Sequence, residues 1–95
     1  MQLDQLAPGV SGYTSEVGEA LLVPVIIADK EGNGDVGRYL DTLPRDRWVI
    51  FPTVLSARLA GMLERRGFYP GQVDTGEEMI EAYLRPPRRP PEETL

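Results

Sequence analysis

Ile26–Phe68, IIADKEGNGDVGRYLDTLPRDRWVIFPTVLSARLAGMLERRGF, is the stretch that decides how this chain is read. It runs from an apolar strand into a glycine-rich turn and a short helix. A second apolar strand follows, then a longer amphipathic helix that stops at Arg66-Gly67-Phe68. A glycine-rich turn between a strand and a helix exposes backbone N–H groups at the positive end of the helix, where a phosphate can sit. The same string has a plainer reading, a strand-to-helix turn that needs positive φ at Gly32 or Gly34.

Upstream, Ala20–Ala28 (ALLVPVIIA) is a nearly continuous apolar run of strand length, the pattern of a strand covered on both faces. Pro24 interrupts it. Proline has no N–H for a ladder, so the strand is expected to be bulged or locally unpaired there. That break either opens a cleft or marks an edge strand with one donor missing. Tyr13–Val17 reads as a short strand turned at Gly18. Residues 1–12 form a weakly patterned lead-in with turn chemistry at Pro8-Gly9 and Gly12.

Downstream, Asp35 is a good N-cap, with Val36, Leu40 and Leu43 at helical spacing before Pro44. Arg47–Phe51 is the second strand, closed by Pro52. Thr53 or Ser56 caps the next helix, whose stripe is Leu55, Leu59, Met62 and Leu63. Gly67 is the expected left-handed C-cap. Phe68-Tyr69 and Met79–Leu84 are expected to pair as a hairpin, with Pro70-Gly71 and Thr75-Gly76 in the connection. The domain is expected over residues 13–85. Residues 86–95 form a proline-rich tail, read as solvated polyproline or as a ligand for an aromatic groove. The order predicts an α+β domain, a small mixed sheet of four to six strands with two helices. The central strands are parallel through helical crossovers, and the flanking hairpins are antiparallel.

Bulk properties exclude several functions. Ninety-five residues make one small domain with a thin stability margin, which a partner or a homodimer would widen. A net charge of −5 disfavours nucleic acid and suits a basic protein surface. With no cysteine and no histidine, disulfides, thiolate chemistry, the usual zinc sites and an imidazole base are ruled out, and no metal is expected. The longest apolar run is far below the roughly 20 residues that span a bilayer, so no membrane partner is expected. Met1-Gln2-Leu3-Asp4 lacks the start of a signal peptide, which makes the cytoplasm the expected compartment.

The glycine loop, the strand at Arg47–Phe51 and the helix Ser56–Phe68 (SARLAGMLERRGF) together resemble the C-terminal half of the GCN5-related N-acetyltransferase family. The resemblance covers roughly residues 20–85. It implies a bulged strand, a loop whose amides hold the pyrophosphate of acetyl-CoA, and a second strand splayed to admit the pantetheine arm. On that likeness the cofactor-binding residues are Val25 and Ile27 on the strand and Gly32, Asn33, Gly34, Val36, Gly37 and Arg38 in the loop and helix. The function implied is a minimal N-acyltransferase that acetylates an amine of a macromolecule.

Three departures accompany the likeness. Glu31 stands where the family usually has Arg or Gln. Gly34 and Gly37 are three apart, one residue more than the family spacing. Leu63 occupies the position of the tyrosine that serves many members as general acid, and no catalytic residue is assigned. Glu31 and Asp35 each oppose an anion by about 1 kcal/mol at loose screening. The helix N-terminus answers with up to about 1 kcal/mol. Arg38 is a phosphate ligand or a solvated residue paired with Asp35 or Asp41. Tyr39 sits on the first helix and is no substitute acid. Tyr83 is an alternative acid or a packing residue. Trp48 and Phe51 read as core or rim aromatics. Asp74, Glu77, Glu78 and Glu81 either attract a cation or form a solvated face. The other roles these features fit are a non-catalytic binding module derived from the same fold, of the kind phages use against host proteins in the host cytoplasm, and a virion or assembly component.

Overall fold

The computed structural model describes residues 2–88. Its elements are β1 (Asp4–Ala7), β2 (Val10–Val17), β3 (Ala20–Ala28), α1 (Asp35–Leu40), β4 (Trp48–Pro52), α2 (Ala57–Glu64), β5 (Tyr69–Asp74) and β6 (Met79–Arg85). One six-stranded sheet has the order β1-β2-β3-β4-β6-β5. Only β3 and β4 are parallel, as the α1 crossover requires; every other neighbouring pair is antiparallel. The fold is thus the α+β class expected, a mixed sheet with two helices.

Pro24 has the effect its chemistry predicts. Tyr13 pairs with Val25 and Ser15 with Leu22, so Val23 and Pro24 together face Thr14. The extra residue is a β-bulge, and the missing N–H falls on it. On its other side β3 pairs with β4 only over Ala20–Leu22 and Trp48–Ile50. Past that point the two strands part.

The helices differ in how they start and stop. Ser56 caps α2, its hydroxyl accepting from the Leu59 N–H at 3.1 Å. At the other end Phe68 N–H donates to Leu63 O and Gly67 N–H to Glu64 O, with Gly67 at φ 90. This is the Schellman closure, and glycine adopts its left-handed residue without strain. The α1 helix is shorter. Its N-cap is Gly34 at φ 78, with no side-chain cap, and Asp35 is its first helical residue rather than the cap expected.

Four other expectations are corrected, and the expected end of the domain at residue 85 falls on a core residue. The lead-in contains β1 and the start of β2, because Gly9 at φ 80 turns the chain into a hairpin that weak patterning conceals. Strand β4 begins and ends one residue later than expected. Leu55 precedes the Ser56 cap, so it is off the buried stripe and 90% exposed. Pro70 and Gly71 lie inside β5, which proline permits because β5 is an edge strand. Arg85, at the head of the proline-rich segment, is 4% exposed and belongs to the core. The tail expected over 86–95 lies mostly outside the described residues.

Cross-strand partners share a face. Tyr83 donates its hydroxyl to Glu64 of α2, and Arg85 donates to the carbonyl of Arg66 beyond it. Their partners Phe51 and Val49 therefore also face the helices. On this side Val10, Val23, Val49 and Phe51 bury against Tyr39 and Leu40 of α1, Leu43, Leu63 of α2 and Phe68. Phe51 and Phe68 meet edge to face at 5.4 Å. The intervening residues lie on the other face: Leu22 with Ile50, Ile50 with Leu84, Leu84 with Tyr69, Tyr13 with Val25. Both helices join the one core cluster, so among the described residues no helix covers that second face.

Candidate functional site

The parting of β3 and β4 leaves a cleft of about 280 Å³, lined by Val23–Ile26 on one side and Phe51–Ser56 on the other. At the C-terminal end of β3 it joins a second hollow, about 300 Å³, formed by the glycine loop and the first turns of α2. The two share Ile26, Ser56 and Leu59. Toward β5 and β6 the cleft widens into a recess of about 680 Å³, shared through Thr53, Val54 and Leu55. The three hollows thus adjoin in sequence, from the glycine loop past the strand gap to the hairpin, and together make up the groove.

The glycine loop is built by two positive-φ residues, Gly32 at φ 80 and Gly34 at φ 78. The plainer reading made from sequence holds: the turn needs glycine at both positions. Gly32, Asn33, Gly34, Val36 and Gly37 all line the hollow. Gly37 is also where the helices touch. Its carbonyl accepts from Arg66 at 3.4 Å, and an added Cβ would meet Arg66 at 3.2 Å.

The β3 residues divide by parity. The Val25 carbonyl lies against Gly12 of β2, and Asp29 N–H donates to Gly9 O at 2.9 Å. Main-chain groups alternate sides along a strand, so those of Val25, Ile27 and Asp29 point toward β2. Ile26, between them, turns its N–H and C=O toward the open edge. Val25 and Ile27 line the groove, but the main-chain positions available to a bound chain belong to Ile26.

Charge on the rim differs from a simple reading of two acids. The Asp35 carboxylate accepts from Asn33 at 3.0 Å and from Arg38, and a methyl on Gly9 would overlap it. It is thus turned toward the β1–β2 turn. The Asn33 hydrogen bond, with Arg38 beside it, outweighs desolvation and holds its pKa below the ordinary 3.8. Arg38 is the paired residue rather than a free phosphate ligand. The hollow is also lined by Lys30 and Arg58, neither in an ion pair among the described residues. Of the two acids in the lining, Asp35 is paired with Arg38 beside the hollow and Glu31 is in no ion pair among the described residues, so Lys30 and Arg58 stand against Glu31 and the neutralised Asp35. Sequence reasoning missed Lys30 and Arg58. Lys30 flanks the loop and was legible as the only lysine, whereas Arg58 arrives from α2 through folding alone.

No tyrosine occupies the groove at Leu63, which is fully buried in the core. Tyr39 is 9% exposed, and burial raises its pKa. Tyr83 lines the wide recess, its hydroxyl 2.9 Å from Glu64. That hydrogen bond raises the phenol pKa above 10.0, with desolvation and the Glu64 charge adding to it. Trp48 is 37% exposed and Phe51 is in the core. Glu81 lines the recess; Asp74, Glu77 and Glu78 are exposed at the hairpin end. Among the described residues no group of acids is placed to hold a metal ion, and no helix is long and apolar enough to cross a membrane. No protein-family profile matches the chain, and no curated protein or solved structure matches it.

Proposed function

We propose that the groove binds an acyl-CoA such as acetyl-CoA and that the chain transfers the acyl group to an amine of a macromolecular substrate. The observation that supports this reading is that the hollow at the positive-φ glycine loop adjoins the gap where β3 and β4 part at Pro24. Gly32–Gly34 with Lys30 and Arg58 would hold the pyrophosphate. The main-chain groups of Ile26 would hold an extended amide-bearing arm, as an edge strand does. Acetyl-CoA brings an acyl group activated on sulfur, which an amine nitrogen takes as the thiolate leaves. The chain contributes orientation, which alone is worth about 7–11 kcal/mol of a barrier. Tyr83 keeps its proton at neutral pH and is the phenol lining the acceptor end of the groove.

Leu63 at the family's acid position favours a second reading, a non-catalytic module of the same shape whose groove holds a partner. Titration calorimetry separates the two. Acetyl-CoA is expected to bind, Gly34→Asp and Arg58→Glu are each expected to weaken it at least about tenfold, a loss of about 1.4 kcal/mol, and a CoA-dependent acetylation of basic protein is expected to fall in Tyr83→Phe. No heat of binding at millimolar CoA would overturn the acyl-CoA reading. Binding without turnover would leave the module.

A further inference from the structure

We propose that the helix-free face of the sheet is a two-fold interface on which a second copy of this chain docks. Tyr13, Val17, Ile27, Trp48 and Tyr69 stand on it, between 37% and 57% exposed. No residue of the six strands on that face carries a charge, although 26% of the chain is charged. A sheet face left to water ordinarily alternates into polar residues. Here the strand charges sit on the opposite side: Asp4, Glu16, Asp74, Glu81 and Arg85 share a face with the helices. The pattern is that of a surface removed from water on both sides.

Size and charge select the occupant. Six strands about 4.8 Å apart, each offering about 18 Å of length, give a face of roughly 500 Å². That is at the upper end of what a lone monomer leaves exposed, about 300–600 Å². Two such faces bury about 1,000 Å² in total, the size at which a specific interface begins. A basic partner would be drawn to acids, and none of the acids in the strands lies on this face. An uncharged apolar sheet is complementary to its own copy, and two sheets stack face to face about 10 Å apart. A chain of this length gains most from that, because its own core is small.

Sedimentation equilibrium of the full chain from about 5 to 500 µM tests it, the range in which a dimer of this area is expected to form. A dimer is expected, and iodide quenching of Trp48, the single tryptophan, should fall as it forms. Val17→Lys and Ile27→Lys replace side chains already open to water in one copy. Each is expected to raise the dimer dissociation constant at least about tenfold while leaving thermal unfolding of the dilute chain unchanged. Leu55→Lys, at a more exposed apolar position outside this face, is expected to leave pairing intact. A monomer throughout the range overturns the proposal. So does a dimer indifferent to both lysines, or one in which Trp48 stays as accessible to iodide as in the monomer.

Discussion

The parallel pair β3–β4 has two ends built on opposite principles. At the closed end, Ala20–Leu22 and Trp48–Ile50 are in register, and β6 continues the sheet with Arg85 opposite Val49. At the open end, Pro24 bulges one strand, Thr53 holds a non-glycine φ of 54 after the other, and Gly32 and Gly34 turn left-handed. The closed end satisfies its backbone from within. The open end collects the unpaired and strained positions, and the groove is there. Strain at a non-glycine residue such as Thr53, about 1–3 kcal/mol, persists only where surrounding structure over-determines it. In this chain the closed end supplies that support.

Arg85 is the closed end's main device, and its loss should have the largest effect. Its guanidinium is buried, with no carboxylate partner among the described residues. It donates to the carbonyls of Arg66 at 3.3 Å and Pro44 at 3.0 Å, and lies 4.7 Å over the Phe68 ring. It thereby ties the end of α2 to the α1–β4 connection, at the negative helix terminus where a cation is favoured. Desolvation lowers its pKa, with the Arg45 charge adding to it, and its Nε has no partner among the described residues. Arg85→Ala would leave two sheltered carbonyls unpaired and a cavity against Phe68. Stability in urea should drop by about 3 kcal/mol or more. Arg85→Met keeps the stem over the ring and should recover part of that. A drop under about 1 kcal/mol for the alanine variant would mean that the carbonyls find water instead.

At the open end a substitution should act in the other direction. Thr53 N–H donates to Glu81 O at 2.8 Å, a bond glycine keeps. Thr53→Gly removes the cost of positive φ and adds the greater entropy of an unfolded glycine, about 0.5–1 kcal/mol. The net expectation is a gain of up to about 1 kcal/mol in urea. If instead stability falls, the Thr53 side chain holds the seam between cleft and recess, and the two ends are less distinct than their backbones suggest.

How legible this was in the sequence divides along the same line. The bulge at Pro24, the Ser56 cap and the Gly67 stop follow from single residues whose local chemistry leaves one outcome. The placement of Leu55 failed because two caps were open, and only Ser56 puts it outside the helix. The β1–β2 hairpin was missed because its residues lack a regular apolar–polar alternation. Within the groove, the glycines were visible and the partners were not. That Asp35 leans on Gly9, and that Arg58 comes round from α2, are products of contacts across some 25 residues of chain, for which spacing carries no signal.

The smallest effect concerns Asp35, where the open end touches the N-terminal hairpin. Its folded pKa lies below the ordinary 3.8, chiefly through the Asn33 hydrogen bond and then Arg38. A group whose pKa is depressed by folding adds stability above its unfolded value, and that contribution is lost as pH falls through the folded value. The wild-type chain should therefore be slightly more stable than Asp35→Asn at neutral pH, and the difference should close as pH drops below 3.8. Thermal melts of both proteins across that window give the answer. A gap that persists in acid would assign the effect to packing against Gly9 rather than to charge. A variant that is more stable at neutral pH would mean that the carboxylate is held there at a cost, which is what a loop kept open for an anionic ligand would show.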